Sequence, residues 1–198
     1  MIKIRKLLPA VCCILLGMLI QVPLVGQPMA PEVQDAINQS IEQAKANESS
    51  GSYAEAAMYY GKAANAYWVH DQVQSATEYF LKAAAMNEKI GNNNALRTIY
   101  GNLGVLNADA KNYDKSISWF EKCLAINRQL NKKPDIVAML INIASAKMEM
   151  GKPKDAIASL NEANSLALEL KDINLIRNTY GLLAECEKSL GNTDKSAQ

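Results

Sequence analysis

The stretch YGNLGVLNADAKNYDKSISWFEKCLAIN, residues 100–127, decides the fold. Leu96 and Ile99 just before it, then Leu103 and Leu106, keep the spacing of one helix face. A polar break follows at Lys111-Asn112. Ile117, Phe120, Leu124 and Ile126 then begin a second apolar face. Two helices joined by a short turn are therefore expected here. Moving outward in steps of forty residues, the same pattern returns. Tyr60-Gly61, Tyr100-Gly101 and Tyr180-Gly181 recur, with Leu140-Ile141 between them. Ala76, Ser116, Ala156 and Ser196 share a second slot; Phe80, Phe120 and Leu160 share a third. Ala64, Gly104, Ala144 and Ala184 form a small-residue slot on the first helix of each unit. Small side chains let paired helices approach, and the phenylalanines fill the space beside them. One pair cannot bury its own apolar face, so the pairs must stack. No alternating valine- or isoleucine-rich run suggests a strand.

Composition agrees. The chain has 198 residues, of which 49% are apolar and 6% aromatic, with 10 glycines and 6 prolines. That is a globular, helix-leaning balance. The formal charge of +1 offers no basic excess for nucleic acid. Gly91, Gly151 and Gly191 mark turns, and Pro134 and Pro153 suit first-turn positions.

Ahead of the repeats lies an address. Lys3, Arg5 and Lys6 precede an apolar run over residues 7–25, and small residues follow at Gly26 and Ala30. This order is that of a secretory signal peptide, residues 1–26, cut after Gly26. The alternative is a membrane anchor formed by residues 7–25. Cleavage would remove three cations and leave a net charge of −2, a surface with little attraction for DNA or anionic lipid.

The repeat resembles the tetratricopeptide repeat. The carriers are Leu103-Gly104 on a first helix, with Ala76-x-x-x-Phe80, Ser116-x-x-x-Phe120 and Ala156-x-x-x-Leu160 on second helices. The forty-residue period is longer than the usual unit, and Glu88, Arg128 and Leu168 stand where a proline would close the second helix. It looks like the extended-helix subclass of kinesin-light-chain-type and bacterial peptide-sensor-type proteins. The resemblance implies an all-α, right-handed superhelical solenoid. A capping helix would lie within residues 27–51. Repeats would span residues 52–91, 92–131 and 132–171, with a partial unit at 172–198.

It also implies that first helices line a groove for a protein or peptide. The groove slots hold Gly61, Gly101, Ile141 and Gly181; Lys62, Asn102, Asn142 and Leu182; and Asn65, Val105, Ser145 and Glu185. Asn65, Gly101, Asn102, Asn142 and Ser145 are the candidate binding residues. An asparagine amide donates and accepts at once, as a peptide group does. The opposing reading is a plain polar face, as any solenoid shows. Some relatives grip a carboxylate with lysines here; glycine replaces that lysine in this chain, so a neutral or mixed peptide is expected.

No catalytic constellation is found. His70 is the one histidine, which argues against a metal centre or catalytic dyad, and no cofactor fingerprint appears. Cys123 falls in a small core slot and Cys186 two units away, so both are expected as free thiols. Tyr59, Tyr60, Tyr67 and Trp68 are expected to pack the first repeat against its cap rather than form an interface patch. The last helix, near residues 173–190, lacks a following partner within the chain. Leu175, Ile176, Leu182, Leu183 and Leu190 are expected to await one, with self-association through this end as one possibility. The expected function is an exported, non-enzymatic binding scaffold in the bacterial envelope. The alternative is the ligand-sensing portion of a signalling regulator.

Overall fold

The computed structural model describes residues 29–192. The expected signal peptide and residues 193–198 of the expected partial unit lie outside the described residues. Within them are eight helices and no strand. Helix α1 (Pro31–Ser49) comes first. Helices α2 (Tyr53–Val69) and α3 (Val73–Lys89) form one pair. A second pair is α4 (Asn93–Asp109) and α5 (Tyr113–Gln129), and a third is α6 (Lys133–Glu149) and α7 (Pro153–Leu170). Helix α8 (Ile173–Ser189) follows. Consecutive helices pack on one another, so the chain is the expected all-α solenoid.

The turns explain the regular spacing. Gly91 and Asn92 close α3 together. The N–H of Gly91 donates to the Glu88 carbonyl (3.1 Å) and that of Asn92 to the Asn87 carbonyl (2.9 Å). This is a Schellman ending, and it needs a left-handed residue at position 91. Glycine adopts that conformation freely, with φ of 65° here. Asp71, Lys111, Asn131 and Lys171 take it too, with φ between 52° and 60°, at about 1 kcal/mol or more each. Pro153 and Pro134 sit in the first turns of α7 and α6, where an N–H has no helical partner.

Packing inside each pair follows the small–large slots. Ala64, Gly104 and Ala144 are fully buried or nearly so, as are Phe80, Phe120 and Leu160 opposite them. A Cβ placed on Gly104 would come within 2.4 Å of the Phe120 ring, so any larger residue would force the ring or a helix to shift. The Ser116 hydroxyl donates to the Gly104 carbonyl at 2.8 Å in the same contact. A phenylalanine buried this way contributes about 3–5 kcal/mol.

Between pairs, a four-residue clasp recurs. The Tyr60 hydroxyl donates to Glu48 (2.7 Å), its ring stacks on Tyr79 (6.1 Å between centroids), and Lys82 lies 4.8 Å over Tyr79. Forty residues on, the Tyr100 hydroxyl donates to Glu88 (2.6 Å), its ring stacks on Trp119 (5.6 Å), and Lys122 lies 4.3 Å over Trp119. Burial first, and then the glutamate contact, push both phenols up to about 12. Tyr67 also stacks on Tyr79 and Trp68 meets Phe80 edge-on, so these two pack on α3, while Tyr60 reaches the capping helix α1 through Glu48. Tyr59 is half-buried against the same core.

Candidate functional site

The first helices α4, α6 and α8 share a trough. One cavity of about 310 Å³ includes Val105, Asp109, Asn142, Ser145 and Glu149 in its lining. A second, about 540 Å³, includes Ser145, Glu149, Leu182 and Glu185. Ser145 and Glu149 line both, so the two run into each other. The forty-residue register builds this: Asp109 and Glu149 share one slot, and Val105, Ser145 and Glu185 share another.

Asn102 and Asn142 are one repeat apart on α4 and α6, and both are half-buried. Neither amide makes a side-chain hydrogen bond among the described residues. The three buried asparagines among the described residues are instead committed to their own helices. Asn87 donates to the Ala83 carbonyl and Asn107 to the Leu103 carbonyl, both at 2.8 Å. Asn127 donates to the Cys123 sulfur at 3.4 Å. Thus the stacked pair keeps its donors and acceptors available for a peptide backbone.

The remaining expected residues divide. Ser145 lines the trough. Asn65 is exposed on α2, and its amide donates to the Gly61 carbonyl at 2.9 Å. Gly101 points its missing side chain at α5, where the Cys123 sulfur lies 3.9 Å from an ideal Cβ. That distance is an ordinary van der Waals contact, so position 101 lies against α5. Lys62 lines a separate apolar hollow between α1 and α2, with Val33 and Ile37. What sequence reading passed over is the acidity of the trough, from Asp109, Glu149 and Glu185. Its signal was present in the repeat slots. The Tyr113 hydroxyl donates to Glu149 at 3.4 Å on the rim, and its phenol is pushed upward by desolvation and then by that carboxylate.

The thiols are inert by position. Cys123 is 3% exposed and burial pushes it up to about 11, even though Asn127 and Arg97 pull the other way. Burial raises Cys186 as well, and both are free. Among the described residues, no group of three or more His, Cys, Asp and Glu side chains is placed to hold a metal ion. No described helix is long and apolar enough to cross a membrane. His70 caps α2 at the surface.

Comparison with known proteins bears on the fold. One tetratricopeptide-repeat family model matches residues 54–129 and another matches residues 137–169. No curated protein matches the sequence. Among solved structures, the apo form of RapI is similar with a TM-score of 0.72 at 18% identity, over 84% of this chain and 46% of that one. The TPR-like repeats of a kinesin light chain from Podosopora anserina give 0.66 at 16% identity, over 84% and 82%. A signal-transduction ATPase with a tetratricopeptide-repeat sensor, from Pyrococcus horikoshii, gives 0.67 at 20% identity, over 84% and 28%. This chain spans less than half of RapI and of the ATPase. Such identities establish the shared solenoid and leave ligand choice to the residues themselves. Residues 54–129 and 137–169 are tetratricopeptide repeats, by family-model match as well as by fold.

Proposed function

We propose that this chain is an exported, non-catalytic scaffold of the bacterial cell envelope that binds a peptide segment of another protein. The trough across α4, α6 and α8 is the binding surface. One observation carries the reading: Asn102 and Asn142 lie in register on adjacent repeats with uncommitted amides, and Asn142 lines the trough. Each can hold one peptide group of an extended segment through both its donor and its acceptor. Asp109, Glu149 and Glu185 favour a segment carrying a lysine or arginine, which refines the neutral or mixed peptide expected from sequence. The forty-residue helix-pair spacing supports the extended-repeat subclass. Export rests on the charged start, the apolar run and the small-residue exit of residues 1–26, and periplasmic fractionation of tagged chain checks it.

The test is selection of peptides from a displayed random library on the full chain, followed by calorimetry. Asn102→Ala with Asn142→Ala should weaken the selected peptides by about tenfold or more, as each lost hydrogen bond costs about 0.5–1.5 kcal/mol. Affinities equal in both proteins would place binding elsewhere. A second reading, the sensor portion of a regulator, draws on the ATPase whose repeats form a sensor. It uses the same trough and predicts the same loss.

A further inference from the structure

The outer face of α8 has the form of one half of a helix–helix contact, uncovered among the described residues. In the second pair, α4 presents Gly101 and Gly104, and α5 fills that notch with Cys123 and Phe120. The matching α8 positions are Gly181 and Ala184. Among the described residues nothing lies within 4 Å of an ideal Cβ on Gly181. A cavity of about 660 Å³ stands there instead, bordered by Ile157, Tyr180, Gly181, Leu183, Ala184 and Glu187. Tyr180 occupies the slot of Tyr60 and Tyr100, which are 2% and 8% exposed; it is 53% exposed. Ile173 on the same helix is 78% exposed.

We propose that this face binds the same face of a second copy, with two α8 helices packed antiparallel about a two-fold axis. The argument is self-complementarity. Tyr180 and Ala184 lie at equal distances on either side of position 182. Arg177 and Glu187 do the same. An antiparallel helix centred there brings each Tyr180 level with the other copy's Ala184, a bulky ring against a small-residue notch. It also brings each Arg177 level with the other copy's Glu187, so two opposite-charge pairs form at once. A two-fold contact requires this reciprocity of every residue in it. Glu187 accepts from Asn192 through one carboxylate oxygen (2.8 Å), leaving the other for the arginine. Head-to-tail stacking on α1 fits less well. That helix shows Ala36, Ser40 and Gln43 in the slots of Ser116, Phe120 and Cys123, so no bulky side chain would enter the notch. One helix of 17 residues is about 26 Å long, which suits a small, concentration-dependent interface.

Sedimentation velocity of the full chain across a wide concentration range tests this. A reversible dimer is expected. Arg177→Glu should weaken it by about tenfold or more, because it sets like charges together twice. Combining Arg177→Glu with Glu187→Arg should restore it, and Tyr180→Ala should weaken it without charge change. All three sites lie at the helix surface, and circular dichroism verifies that each variant is folded. A monomer at every concentration overturns the proposal. So does a dimer indifferent to Arg177→Glu, which would locate the contact outside α8. So does a double variant no better than the single one, even if the single change weakens the dimer.

Discussion

Gly104→Ala sets two known effects against each other at one methyl group. Alanine is favoured over glycine inside a helix by about 1 kcal/mol. The added carbon, however, would lie 2.4 Å from Cδ1 and Cε1 of Phe120 and 2.9 Å from Cζ. Carbon atoms rest at about 3.5–4.0 Å, so the overlap is about 1 Å. Neither helix can easily withdraw. Phe120 is 2% exposed, and Ser116 ties α5 to the Gly104 carbonyl. Overpacking of this kind costs about 1–3 kcal/mol. Taking its middle, the substitution should destabilise the chain by about 1 kcal/mol net, lowering the melting temperature by roughly 2–4 °C for a chain of this size. The third pair shows the remedy, since it combines Ala144 with Leu160, both fully buried. In a Phe120→Leu background the same Gly104→Ala change should therefore stabilise by about 1 kcal/mol. The coupling across the double-mutant cycle is then about 2 kcal/mol. The first pair has Ala64 opposite Phe80, but there Trp68 meets the ring edge-on at 6.0 Å. Ala108 holds that place in the second pair, which lets the Phe120 ring lean onto residue 104. Urea melts of the four proteins, followed by circular dichroism, measure the cycle. Equal effects of Gly104→Ala in both backgrounds, or a gain in the native one, would refute the close-contact reasoning.

Two further outcomes follow from the clasps. Tyr60 and Tyr100 are pushed up to about 12 in the folded chain, against about 10 when unfolded. The folded state holds those protons more tightly, so their stabilising contribution is complete below about pH 10 and is lost as the pH rises towards about 12. Phenolate absorbance should show both groups still protonated at about pH 11, and Tyr60→Phe with Tyr100→Phe should flatten the loss of stability over that window; full titration near the ordinary value in the folded chain would contradict the burial argument. The third pair has a surface ion pair where the first two have aromatic clasps, so amide exchange should be faster in α7 and α8 than in α3 and α4; uniform protection along the chain would sink that gradient.

The fold was legible because each twenty-residue step ends on a turn signal and each forty-residue step returns a small or a large residue to its slot. Gly104 facing Phe120 could be read from the sequence as a close approach, and it is one. Finer points depended on where a side chain turns. Asn65 looked equivalent to a groove residue, yet its amide closes onto its own helix. Gly101 was a candidate groove residue, yet position 101 faces Cys123 because it lies three residues before the Gly104 notch, on the same helix face. The last helix shows the same limit. Leu175 and Leu182 were expected to await a partner, but they pack back against the third pair, while Ile173 and Tyr180 are the uncovered ones. Apolar character alone does not say which side of a helix looks inward along an array. The acidic trough was available from Asp109 and Glu149, forty residues apart in one repeat slot.

What repeats between the pairs is a relation of opposite charges rather than a set of residues. Glu48 and Lys82 flank the first aromatic stack, and Glu88 and Lys122 flank the second. At the third, Arg128 and Glu162 hold the same two slots with their signs exchanged, and they meet directly at 2.6 Å. Leu140 and Ser159 stand there in place of the rings, so nothing aromatic keeps the charges apart. Position-by-position comparison sees no likeness between glutamate and arginine, although the pairing is intact. Both side chains of that pair are about half exposed, which limits its contribution to about 1 kcal/mol at most. A stacked aromatic pair adds about 0.5–1.5 kcal/mol beyond its buried area, so the joints weaken along the chain. At the fourth position Leu168 and Tyr180 remain, 48% and 53% exposed. Among the described residues no ring stacks on Tyr180, and its exposed face is suited to intermolecular contact. That is why α8, and not the well-clasped first pair, is where a second molecule should be sought.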